Sequence, residues 1–320
     1  SASQVLSLNA TQLSRLGATS VAALGSTILG ALTTTQVKGL TASQVAGLST
    51  TDLQALSTTQ MGALSVNALA GLTQTQVSVL EVGDIAVLST TGLASLSTSA
   101  VAGLNQDQIG GLETTQLAAF TATQIASIST TGMAALSGGR LTALSTTQLA
   151  ALTATQIGAL AASDVSGLST TQLRSLSTSG IGGLEAEDIA GLSTTQVQSL
   201  LSAQVAAFST TAVRNLTVAE VGALTSTQFA SLTAAQIGAL STTQMSAFSA
   251  TQINGFTTTQ TSGLSVAQVE SLTATTVAGL NATHIAALSV TAVGGLSAGQ
   301  VTALTTSQFM ALGVIKIAAL

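Results

Sequence analysis

Residues 145–152 read STTQLAAL, residues 153–160 TATQIGAL and residues 161–168 AASDVSGL. The unit is eight letters long, and it extends in both directions. With Leu8 set at position 8, the 320 residues divide into 40 octads without insertion or deletion. Position 8 is Leu in 35 of them, the exceptions being Phe120, Ile128, Phe208, Phe248 and Phe256. Position 5 is Val, Ile, Leu, Met or Phe in 39, the exception being Thr261. Position 7 is Ala, Gly or Ser in 36, position 4 is Gln in 22, and position 1 is Ser, Thr or Asn in 32.

Positions 5 and 8 are three apart, which places them on one face of a helical turn and on opposite faces of a strand. Position 1 carries preferred N-cap residues. The run Ser/Thr-x-x-Gln is a capping box, in which the hydroxyl accepts from the N–H three residues on and the Gln reaches back. A helix start every eight residues implies a stop every eight. One continuous helix would instead rotate its apolar stripe by ~80° per octad, beyond what a partner could follow. The chain is therefore expected to be an all-α repeat, a solenoid of very short helices over positions 2 to 7, with positions 8 and 1 as turns. A single turn of helix is unstable alone, so stacking must hold it, with positions 5 and 8 buried. A small position 7 lets neighbouring backbones approach, and Gly there eases the helix exit. Spacing alone does not fix the number of octads per coil; with two, 20 coils would stack. A β-solenoid is the alternative, because Thr-rich repeats suit strands.

Composition sharpens this picture. Hydrophobic residues are 46% and charged residues 5%, against roughly 25% charged in ordinary domains, which excludes a disordered chain. The net charge is −5 with no basic patch, so no nucleic-acid partner is expected. Cysteine is absent, which removes disulfides and thiolate metal sites. Polar residues interrupt every octad, so no transmembrane segment is expected. The unbroken register leaves no place for a linker, and residues 1–320 are expected to be one continuous solenoid.

No catalytic, cofactor-binding or metal residue is assigned, and an enzyme is not expected. His284, the only histidine, takes the Gln position in NATHIAAL and is read as a tolerated surface substitution. Asp52, Asp84, Asp164, Asp188 and Glu220 replace Gln at position 4, and Glu81, Glu113 and Glu185 replace the hydroxyl at position 1. All eight lie in a first helical turn, where negative charge complements the helix dipole. Glu185, Glu187 and Asp188 form the one acidic cluster; it lacks the Gly and Asp spacing of calcium loops. Arg15, Lys38, Arg140, Arg174, Arg214 and Lys316 are read as solvated. Asn9, Asn215 and Asn281 open glycosylation sequons. The recurring Gln could form a ladder from octad to octad, with a Thr array outside. The first octad, SASQVLSL, is ordinary and the last, GVIKIAAL, is more apolar, so distinct capping repeats are not expected: either the chain is a slice of a longer array or its ends stack on further copies.

Units such as LSTTQLAAL and LTATQIGAL resemble the Leu-Ser/Thr-x-x-Gln-Val/Ile-x-x-Leu arrays of giant bacterial surface proteins, described as adhesin-like or haem-utilisation-or-adhesion proteins. The resemblance implies an exported, cell-surface or extracellular-matrix role. It transfers no catalytic or haem-ligating residue. The function expected is a structural one, an extracellular bacterial fibre, sheath or adhesin stalk formed by self-association. The alternative is a binding module that presents a regular Thr/Gln face to a glycan, ice or mineral surface.

Overall fold

The computed structural model describes residues 2–320. Among them the structure is helical throughout with no strand, so the β-solenoid alternative falls. Nearly all the α-helices are 4 to 6 residues long. The opening octad shows why each begins and ends where it does. Its helix is Thr146–Ala150, preceded by Ser145 in extended backbone (φ −68, ψ 160). The Gln148 N–H donates to Ser145 Oγ at 3.3 Å, and the Ser145 N–H donates to Gln148 Oε1 at 2.8 Å. Two otherwise unpaired donors at the helix start are thereby satisfied. At the other end the Leu152 N–H donates to Leu149 O at 3.2 Å, a tightened last turn. Position 8 then leaves the helix in extended backbone, as at Leu64 (φ −57, ψ 135).

The glycines at position 7 do not act as left-handed exits. Gly39 remains helical at φ −80, ψ −10. Its smallness serves close approach instead, since an added Cβ would lie 2.6 Å from the backbone oxygen of Ala10. Among the described residues positive φ is confined to Gly25 and Gly313, which stand at position 1 in place of the cap residue, and to Gly138 and Gly139 at positions 2 and 3. At SGGR (137–140) the α-helix gives way to a 3₁₀ turn, Leu141–Ala143.

The helices divide into two compact units, one ending at Gly167 and one running from Leu168 to Leu320. In the first, helix Thr34–Lys38 packs on Ala10–Ser14 and on Thr58–Ala63, three octads away on either side. In the second, Ser202–Ala206 packs on Ser226–Ser231, and Ala274–Ala278 on Ala298–Ala303, by the same step. Side chains also reach back 28 residues, which is three and a half octads. A coil therefore holds between three and four octads, not two.

Within each unit positions 5 and 8 form the interior. Leu149 and Leu152 are buried, as are Leu173 and Leu176. Thr261, the one polar residue at position 5, is buried and donates its Oγ1–H to Thr257 O at 3.1 Å. Phe229, Phe248 and Phe256 meet in the second unit, with the first two rings 4.8 Å apart and edge-on. Phe309 departs from the core role of its position and is exposed.

Candidate functional site

Position 4 was placed by its sequence context in a capping box. The structure buries it. Gln44, Gln108, Gln204 and Gln268 are almost fully enclosed between coils. The physical reason lies in the two ends of the amide. Oε1 faces its own helix start, while Nε2 faces the end of a helix in the preceding coil. Gln44 Nε2 donates to Leu13 O at 2.9 Å and Leu16 O at 2.8 Å. Gln76 donates to Val45 O and Leu48 O, both at 2.8 Å, and Gln108 to Val77 O and Leu80 O at 2.9 and 2.7 Å. Each acceptor pair closes the helix that carries the previous Gln, so the bonds form a ladder. In the second unit Gln204, Gln236, Gln268 and Gln300 repeat it, meeting Leu176, Phe208, Leu240 and Leu272 carbonyls at 2.7–2.8 Å. The expected Gln ladder is present, and it is internal. A Gln face open to a ligand is not, which corrects half of the Thr/Gln surface expected above.

Substituents at position 4 are sorted by the same geometry. His284 is buried, not a surface residue. Its Nε2–H donates to Phe256 O at 2.7 Å, 28 residues back, and Nδ1 lies 2.6 Å from Asn281 Oδ1 at its own cap. It copies the coil-facing end of the Gln but not the cap end, since the Asn281 N–H donates to Asn254 Oδ1 at 3.0 Å instead. Lys316 is half-buried and likewise donates back, to Ala286 O, so it is not a free solvated charge. Thr276 Oγ1 reaches Phe248 O at 3.4 Å. Arg140 sits half-buried at the interrupted octad, and Arg214 borders a small cleft with Thr210 and Thr211.

The acids divide between cap and coil. Asp52 accepts from Ser49 Oγ at 2.6 Å, Asp188 from the Glu185 N–H at 2.8 Å, and Glu220 from the Thr217 N–H at 2.6 Å. These first-turn bonds agree with the cap reading, yet all three side chains are buried, where a carboxylate offers no donor to the coil behind. Burial pushes the Asp188 carboxyl above its ordinary range, opposed by the Glu185 N–H and reinforced by the charges of Glu185 and Glu187. Asp164 is half-buried behind Ala161, which has no hydroxyl to cap with. Asp84 is buried, and Glu81 at its cap makes no side-chain cap hydrogen bond. Glu113 keeps its cap position, its N–H donating to Gln116 Oε1 at 2.9 Å. The sequons are occupied structurally: Asn9 Oδ1 caps Gln12, Asn215 Nδ2 donates to Thr211 O, and Asn281 caps His284. No group of three or more His, Cys, Asp or Glu gathers among the described residues, so the 185–188 segment does not assemble a metal cluster.

What remains outside is the array at positions 2, 3 and 6. Thr146, Thr147 and Ala150 are exposed, and a position 3 hydroxyl can meet the cap hydroxyl of position 1, as Thr123 meets Thr121 at 3.0 Å.

The fold and the Gln ladder together define a tandem-repeat helical solenoid. A family described as the ALTTAQ repeat matches residues 77–114, 160–194, 181–218 and 197–234, about a third of the chain in all. Its six letters resemble ALTATQ at 151–156, which runs from position 7 through the turn and cap to the Gln of position 4. No curated protein matches the chain. No helix among the described residues is long and apolar enough to cross a membrane.

Proposed function

We propose that this chain is a structural protein, an extracellular bacterial fibre, sheath or adhesin stalk, and not an enzyme. The observation that carries the reading is the internal Gln ladder. Each coil offers amide donors toward one neighbour and helix-end carbonyls toward the other, so its two sides are complementary. Surfaces of that kind associate head to tail, and such contacts generate open filaments. The outer surface supports the same reading, because 5% charged residues leave little repulsion between neighbouring copies. Light scattering at micromolar concentration and electron microscopy test it. Species larger than one chain and filaments are expected; monodisperse monomers without filaments would sink it. Export is tested by locating the protein on intact cells with an antibody.

A second reading is favoured by the exposed position 3 hydroxyls, such as Thr123 and Thr227, which lie 3.0 and 3.1 Å from the cap hydroxyls of Thr121 and Thr225. On this reading the Thr array binds a surface glycan, ice or mineral. Replacing outward Thr residues by Ser or Ala separates the two: a fibre survives, and a binding face loses its ligand.

A further inference from the structure

Asn254 is the only asparagine of the chain that is followed by glycine. It stands at position 6, outside cap and ladder, yet its amide joins two coils. Nδ2 donates to Gly279 O at 2.8 Å, and Oδ1 accepts from the Asn281 N–H at 3.0 Å. Each bond has a reason. Gly279 closes helix Ala274–Ala278, and Asn254 fills its carbonyl as Gln54 fills that of Val79, both 25 residues ahead. The Asn281 N–H lacks the usual Gln acceptor, because His284 stands at position 4 of that octad. Gly255 follows at position 7, where a small residue is wanted, and its N–H donates to Gln252 O at 3.0 Å.

We propose that Asn254–Gly255 is a site of spontaneous deamidation gated by the solenoid: closed coils hold it inert, and opening of its coil converts it irreversibly. The chemistry belongs to the pair. The peptide nitrogen of Gly255 attacks Asn254 Cγ, a C–N bond closes a succinimide ring, and the Cγ–Nδ2 bond breaks. The proton of that nitrogen leaves with Nδ2 as ammonia. Water then opens the ring at either carbonyl, leaving an aspartyl or an isoaspartyl residue. Glycine favours the attack because no side chain hinders its nitrogen. In the closed coil the attack is blocked three times over. The Gly255 N–H points back along its helix to Gln252 O, with Asn254 in helical backbone at φ −64, ψ −15. Both ends of the Asn254 amide are held by the next coil. Opening of the coil releases all three bonds together, and such local openings are ordinary fluctuations of a folded chain. Conversion then removes the donor to Gly279 O, and an isoaspartyl link adds a methylene to the backbone, so the coil does not reclose as before.

Peptide mapping by mass spectrometry tests the proposal, on the full chain aged in mildly alkaline buffer, either folded or unfolded in guanidinium chloride. In the unfolded chain residue 254 should convert ahead of Asn215 and Asn281, which precede Leu and Ala. In the folded chain its conversion should be slower by roughly tenfold or more, because opening must come first. Chains aged unfolded and then refolded should melt below fresh chains unfolded only briefly. Asn254→Gln keeps an amide for Gly279 O and should keep its melting temperature through the same treatment. Gly255→Ala, whose added Cβ meets nothing closer than Gln252 O at 3.1 Å, should fold and convert more slowly when unfolded. Conversion at 254 as fast in the folded chain as in the unfolded one overturns the proposal. So does conversion no faster than at Asn281 when unfolded, or an equal melting loss in aged Asn254→Gln.

Discussion

At the scale of the residue, the column at position 4 is where a single atom decides the outcome. Gln and Glu fill a capping box equally well, because both present an oxygen to the N-cap N–H. Only Gln also carries a donor for the coil behind. Glu occupies the position once, at Glu220, against 22 Gln. That imbalance was in the sequence, and it is the signal that could have shown Gln to be internal. Gln268→Glu keeps the shape and the cap but removes the bonds to Ile237 O and Leu240 O. Its buried acceptors lose a donor, which costs about 1–3 kcal/mol. Chemical denaturation at neutral pH should report that loss, whereas Gln268→Glu as stable as the parent would refute the ladder's contribution. His284→Gln, by contrast, should be neutral or stabilising and His284→Leu destabilising by a similar amount. Asp188 adds a pH test. Its folded carboxyl is held above the unfolded range chiefly by burial, so the folded state binds the extra proton more readily. Stability from this group is therefore greatest in acid, and is lost as pH rises through the raised folded value. Asp188→Asn should flatten that slope between the ordinary carboxylate range and neutrality.

At the scale of the element, most of the structure could be read from eight letters, because its rules are local. Capping, the three-residue apolar spacing and the stop at position 8 act within one octad, and Ser145, Gln148, Leu149 and Leu152 do what their spacing implies. The size of the coil could not be read so, since the contacts that set it join residues 28 apart with identical neighbours on every side. Position 7 lies between these cases: smallness was legible, and its purpose was not a left-handed exit. Gly71 illustrates the distinction, because an added Cβ would overlap the backbone oxygen of Ala42. Gly222, in helix Val218–Ala223, has nothing within 4 Å of an added Cβ. The two Gly→Ala variants should move in opposite directions in thermal melts. Gly71→Ala forces neighbouring backbone apart and should cost about 1–3 kcal/mol, as overpacking does. Gly222→Ala should gain up to about 1 kcal/mol from helix propensity. Equal shifts would mean that backbone approach at position 7 contributes nothing.

At the scale of the whole molecule, the decisive property is that neighbours are equivalent. A solenoid of stacked repeats is held by contacts between nearest coils, so its stability is close to a sum of local terms. Here the repeat that must be conserved is the octad, not the coil, because a helix three octads away and a helix end four octads away present the same residue types. Removing one whole octad shifts every later partner by one unit yet delivers another Leu carbonyl to each Gln. Removing half an octad places position 1 hydroxyls where position 5 side chains must be buried. Deletion of residues 265–272, a complete SVAQVESL, should therefore leave the second unit helical with one cooperative melt. Deletion of residues 265–268 alone should not, because Val269 and Leu272 lose the cap and ladder bonds that place them. Far-UV circular dichroism and melting of the two deletions against the full chain make the comparison. If both deletions melt alike, packing tolerates loss of register, and the ladder of position 4 cannot be what holds the coils together.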